Sequence, residues 1–143
     1  MFKVQWFRFG GLRCSPLNAA LCEYGELSMN RAQRAQQLWS LLVVSATSRQ
    51  VLTYDLVAKA TGVVRPSIGD FLRPIQQYCT ENKLPPLTSL VVSELTGLPG
   101  EGFIAASDVP LTHVRVFQFD WLNTRAPTEE QLADSYTRAP DAR

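Results

Sequence analysis

The chain is poor in the residues that site chemistry most often needs. It has one histidine, His113, and three cysteines, Cys14, Cys22 and Cys79, in 143 residues. An odd cysteine count beside a single histidine offers no zinc-ligand spacing, so free, mostly buried thiols in a reducing compartment are expected. No metal and no cofactor is expected. Nucleophilic catalysis requires a nucleophile held by a base, and His113 is remote in sequence from every cysteine. Glu129 and Glu130 are adjacent, and adjacent side chains on a helix do not face each other, so they form no acid–base pair. The glycine-rich stretch Thr96–Gly102 contains neither G-x-x-x-x-G-K-[ST] nor a strand-to-helix G-x-G-x-x-G, which argues against a phosphate cradle. A non-enzymatic protein is expected.

Long apolar runs are also missing. The longest, Leu41 to Val44, belongs to an amphipathic helix, so no transmembrane span is expected. The first 22 residues carry Lys3, Arg8 and Arg13 and no acid, a bias shared with transit peptides. Arg8 and Arg13 interrupt any apolar core of a secretory signal, and a cytoplasmic location is expected. With 45% apolar and 19% charged residues, the composition is that of one soluble domain with tails.

What is present is an uneven charge distribution. From Met29 to Lys83 seven bases outnumber three acids, a net of +4, whereas from Leu84 to Arg143 four arginines meet eight acids, a net of −4. A basic helical half and an acidic tail half suit a nucleic-acid face with an acidic back.

Periodicity organises the chain around Val51 to Val92. Residues 1–28 read as an N-terminal extension, with an edge strand over Phe2–Phe9 ended by Gly10 and Gly11. Asn30 caps a first amphipathic helix ending near Thr47 or Ser48, with Ala35, Leu38, Trp39, Leu42 and Ala46 on its apolar stripe. Thr53 caps a second, short helix closed by Gly62. Pro66 opens a third, with Ile68, Phe71, Leu72 and Ile75 at helical spacing. Pro74 should kink or restart it. Leu87–Val92 reads as a strand, Ser93–Gly102 as a turn, Phe103 and Ile104 as a return strand, and His113–Trp121 as a further strand. Thr128 and Gln131 match a capping box for a short acidic helix in the tail, residues 122–143.

The expected fold is therefore α+β: a winged helix-turn-helix core over residues 29–121, of about three helices and a small antiparallel sheet, with N-terminal and C-terminal extensions.

The order TYDLVAKATG, RPSIG, LPPLTSLVV and TGLPGEGF, from Thr53 to Phe103, resembles the C-terminal winged-helix domain of the alkylguanine-DNA alkyltransferases and alkyltransferase-like proteins. That family shows a T-Y-G-E-I-A helix, an R-A-V-G recognition helix, a P-C-H-R-V-V strand and a glycine-rich loop. The resemblance implies that Tyr54 is the tyrosine near the DNA backbone. Arg65 lies one residue from the position of the intercalating arginine. The segment that should carry the reactive cysteine and its histidine reads PLTSLVV, so alkyl transfer through that cysteine is excluded. What the resemblance implies here is a DNA-binding scaffold.

With Ile68, Phe71, Leu72 and Ile75 buried, Arg65, Ser67, Gly69, Asp70 and Arg73 are left to face outward, the N-terminal ones toward a groove. Arg65 and Arg73 are the leading contacts. Thr53, Tyr54 and Lys59 serve phosphates, and Arg49 joins them from the preceding loop. Asp70 opposes a phosphate, and the turn carries Glu94 and Glu101 without a base. The expected function is binding of double-stranded DNA in a regulatory or accessory role, with about 3 to 5 phosphate contacts per chain. The alternative is a protein-interaction module, engaging a partner or a second copy through HVRVFQFDW and the acidic tail.

Overall fold

The computed structural model describes residues 7–9, 12–14, 29–101 and 103–140. β1 (Phe7–Phe9) and β2 (Leu12–Cys14) form an antiparallel pair with Phe7 opposite Cys14. The rest of the expected Phe2–Phe9 strand, like the last three residues, lies outside the described residues.

The main body begins with α1 (Arg31–Thr47), closed at its start by a reciprocal capping box. Asn30 accepts from the Gln33 N–H at 2.8 Å, and Gln33 Oε1 accepts from the Asn30 N–H at 3.1 Å. Its buried face is Ala35, Leu38, Trp39, Leu42, Ser45 and Ala46. After β3 (Leu52–Thr53), α2 (Tyr54–Thr61) starts at Thr53, whose hydroxyl accepts from the Leu56 N–H at 3.2 Å. It stops at Gly62 with φ +68°, a left-handed conformation costly for any side chain with a Cβ. A 3₁₀ turn, Arg65–Ser67, leads into α3 (Ile68–Glu81). α3 runs through Pro74 without a break. The proline forfeits a bond to the carbonyl of Asp70, a residue on the solvent side of the helix, while its own ring is buried. The expected restart is therefore not seen: the apolar face on both sides of Pro74 is anchored, with Ile68 and Ile75 both fully buried.

The sheet departs from expectation. Leu87–Leu90 is a 3₁₀ helix, and only Val91–Val92 is a strand, β4. β4 pairs with β3 in parallel, Leu52 with Val91 and Thr53 with Val92, rather than antiparallel. The connection explains the direction, because a crossover carrying two helices returns the chain in parallel, whereas a tight turn cannot. Phe103 and Ile104 form no return strand. What stands for the hairpin is one antiparallel bridge, Val92 to Pro99, around a turn in which Ser93 N–H donates to the Leu98 carbonyl at 2.8 Å.

His113–Trp121 is not a strand but the greater part of α4 (Val109–Gln118) and the loop after it. Asp108 caps this helix by accepting from the Leu111 N–H at 3.0 Å, and Pro110 falls in the first turn, where no intrahelical N–H is needed. Thr112 and Val116, four apart, face inward. Trp121 folds back, its indole N–H donating to the Val116 carbonyl at 2.7 Å. α5 (Glu129–Arg138) carries the expected Thr128–Gln131 capping box and packs across α3 and α1.

These elements bury one aromatic-centred core. Trp39 meets Tyr78 and Trp121 edge-on, with centroids 5.6 and 5.9 Å apart. The architecture is α+β: five α-helices and a two-stranded parallel sheet in the main body. No described helix is long and apolar enough to cross a membrane.

Candidate nucleic-acid interface

The α2–turn–α3 unit is fixed to α1 from behind. Arg34 Nη1 donates to the Thr61 carbonyl at 2.6 Å, satisfying an acceptor at the open end of α2. Val57, Ile68, Leu72 and Ile75 are turned into the core, which leaves Lys59, Arg65, Pro66, Gly69 and Asp70 exposed.

The residues singled out in sequence do not form one surface of equal freedom. Arg49 is exposed beyond the end of α1, in a left-handed conformation with φ +55°. Thr53 spends its hydroxyl as a helix cap. Lys59 lies on the exposed side of α2, and Ser67 is half-buried at the entry of α3 with no capping bond from its side chain. Arg65 pairs with Asp55 at 3.4 Å. Both side chains are about half in solvent, at 52% and 42%, so the pair is worth little, at most about 1 kcal/mol. Arg73 turns toward the C-terminal helix. Its Nη2 donates to the Pro140 carbonyl at 2.7 Å, and its guanidinium lies 5.6 Å from the centroid of the Tyr136 ring, which Arg31 approaches at 4.4 Å.

Four of these residues meet at a cleft. Tyr54, Arg65, Gly69 and Arg73 line an open cavity of about 310 Å³, together with Pro66, Asp70, Leu72, Gln76, Thr88, Pro99, Gly100, Glu101 and Phe103. One wall is the first half of α3, and the other is the segment after the Ser93–Leu98 turn. Tyr54 joins them: its Oη accepts from the Gly100 N–H at 3.2 Å. A Cβ on Gly100 would lie 2.6 Å from that oxygen, so glycine is required for the approach. At Gly69 an added Cβ meets nothing, so this glycine leaves the cleft open without being forced by packing.

Among the described residues, two buried hydroxyls have no hydrogen-bond partner, Thr88 Oγ1 and Ser89 Oγ. Thr88 is 4% exposed and lines the cleft, while Ser89 is fully buried and does not. Ser89 offers its carbonyl instead to His113 Nε2 at 2.8 Å. Sequence reasoning missed Thr88, Glu101 and Phe103 as lining residues. The signals were the PLTSLVV and TGLPGEGF motifs themselves, which bring two polar residues and a glycine-rich return against α3.

The remaining chemistry is quiet. Burial pushes the Cys79 thiol up to about 12, so it is no nucleophile at neutral pH. No cluster of ligands able to hold a metal occurs among the described residues. No family model, no curated protein and no solved structure matches the chain, so the likeness of Thr53–Phe103 to the alkyltransferase winged helix rests on the motifs and on nothing further.

Proposed function

We propose that α1, α2 and α3 with the Ser93–Pro99 turn act as a winged-helix unit that binds double-stranded DNA in an accessory or regulatory role, without catalysis. The observation that carries this reading is the exposed entry of α3. Arg65 and Gly69 stand on its open side, and Lys59 on the preceding helix is free of the core. An exposed basic helix entry preceded by a short helix is the arrangement that places side chains in a groove and bases on phosphates. The net +4 of Met29–Lys83 supports it. The tethering of Arg73 to Pro140 shifts the weight of the contact onto Arg65.

The protein-interaction alternative draws on groups that are partly turned inward, although Val114 and the tail acids Glu130 and Asp134 stay exposed. Val116 and Trp121 of HVRVFQFDW are buried, Phe117 and Phe119 pack on the core, and the acidic tail helix is docked through Leu132 and Ser135.

Fluorescence anisotropy of a labelled random-sequence duplex at low salt tests the proposal. Wild-type protein should bind, and the Arg65→Ala, Arg73→Ala double variant should bind at least several-fold more weakly. Equal affinity of the two proteins, or no binding by wild type, sinks it.

A further inference from the structure

The segment that follows α5 reaches back to α3, and we infer that it is an autoinhibitory strap holding Arg73 away from DNA. The inference rests on the duplex-binding reading of α2 and α3 and adds its regulation. The contact grows out of local chemistry. Proline has no N–H and disfavours helix in the residue before it, so α5 ends at Arg138 and Ala139 is extended, with φ −66° and ψ 134°. The chain leaves the helix there, and the Pro140 carbonyl accepts from Arg73 Nη2 at 2.7 Å. One turn back on α5, the Tyr136 ring centroid lies 5.6 Å from the same guanidinium and 4.4 Å from that of Arg31.

What the strap holds matters because of where Arg73 sits. Arg65, Gly69 and Arg73 follow one another at four-residue spacing from the 3₁₀ turn into α3, which sets them along one side of the helix. Gly69 has no side chain, so Arg73 is the next base after Arg65 on that side. Asp70, exposed close by, repels a phosphate, so the gain from releasing Arg73 is that of one contact. A peptide carbonyl is a neutral acceptor, whereas a phosphate oxygen is ionised and makes a bond roughly twice as strong with a guanidinium. The strap therefore occupies Arg73 with an acceptor that a phosphate can displace. Release leaves the helix docked. α5 is anchored by Leu132 and Ser135, both fully buried, and by Arg138, which bonds Glu81 at 2.7 and 3.0 Å. Pro140 is exposed, so only the chain past Arg138 has to move.

A cycle of four proteins in the anisotropy assay, with a random-sequence duplex at low salt, tests the strap. They are wild type, Arg73→Ala, a strap variant in which Ala139–Arg143 is replaced by a glycine–serine segment of equal length, and the two changes combined. The replacement deletes Asp141 and Arg143 together, so the net charge is unchanged. The strap variant should bind about five- to tenfold more tightly than wild type, with a salt slope steeper by about 0.9. Arg73→Ala should alter affinity less than about twofold in the wild-type chain and should abolish the gain in the strap variant. Tyr136→Leu, which keeps an apolar body and removes the aromatic face, should give part of the same gain, and Tyr136→Phe none. Circular dichroism melts verify that each variant is folded. Equal affinity of wild type and the strap variant, or a gain that survives Arg73→Ala, overturns the strap and leaves duplex binding in place. Absence of binding by all four proteins overturns the duplex reading and the strap with it.

Discussion

Replacing Thr88 by valine keeps the shape of the side chain and removes its hydroxyl, which isolates the energetic cost of that one group. The residue is 4% exposed, and Oγ1 finds no donor or acceptor among the described residues. An unsatisfied buried hydroxyl costs about 1–3 kcal/mol, and the methyl that replaces it adds a little apolar burial. The oxygen itself is out of reach of solvent, and taking the lower end of that range gives a gain of about 1 kcal/mol. In a domain of this size that is a rise in melting temperature of about 3–6 °C. Urea unfolding followed by circular dichroism gives the free energy directly, with an unchanged m-value showing that the folded and unfolded states are otherwise the same. A loss of stability of about 0.5 kcal/mol or more at constant m would show that the hydroxyl is bonded in the native protein and would refute this reasoning.

Further expectations concern the same region and its supports. Gly100→Ala drives a Cβ against the Tyr54 hydroxyl and should destabilise by about 1–2 kcal/mol, a loss that Tyr54→Phe in the same chain should largely relieve in a double-mutant cycle. Asp55→Asn removes the acid that pairs with Arg65, and duplex affinity in the anisotropy assay should rise by about two- to fivefold. The bond from Arg138, with help from Gln77, holds the Glu81 carboxyl down from 4.5 to about 2. Its contribution is present above pH 4.5 and is lost as pH falls through about 2. Acid titration of stability should therefore show a smaller loss over that window in Glu81→Gln than in wild type, the difference being modest because solvent screens the pair.

Helix ends were the most legible part of the sequence because caps are local chemistry. Asn30, Thr53, Gly62 and Thr128 do what their residue types dictate. The parallel pair was invisible because each strand is two residues long, too short for any period, and its partner lies across a two-helix crossover. His113–Trp121 misled because Val114, Val116, Phe117, Phe119 and Trp121 alternate well enough for a strand, while the decisive signal sat upstream. Asp108 and Pro110 together mark a helix start just before that stretch. At the site, Tyr54, Arg65 and Gly69 were found from their position on two helices. The opposite wall was not, since the contact of Tyr54 with Gly100 spans 46 residues and no local pattern encodes it.

The central claim, that the open side of α2 and α3 is an electrostatic face for duplex DNA, is tested most directly by the salt dependence of binding. Each neutralised phosphate contributes a slope of about −0.9 to the logarithm of the binding constant against the logarithm of salt concentration. With about 3 to 5 contacts, wild type should give a slope of about −3 to −4.5, and Arg65→Ala should make it shallower by about 1. A slope near zero in wild type, or one that Arg65→Ala leaves unaltered, would contradict the account.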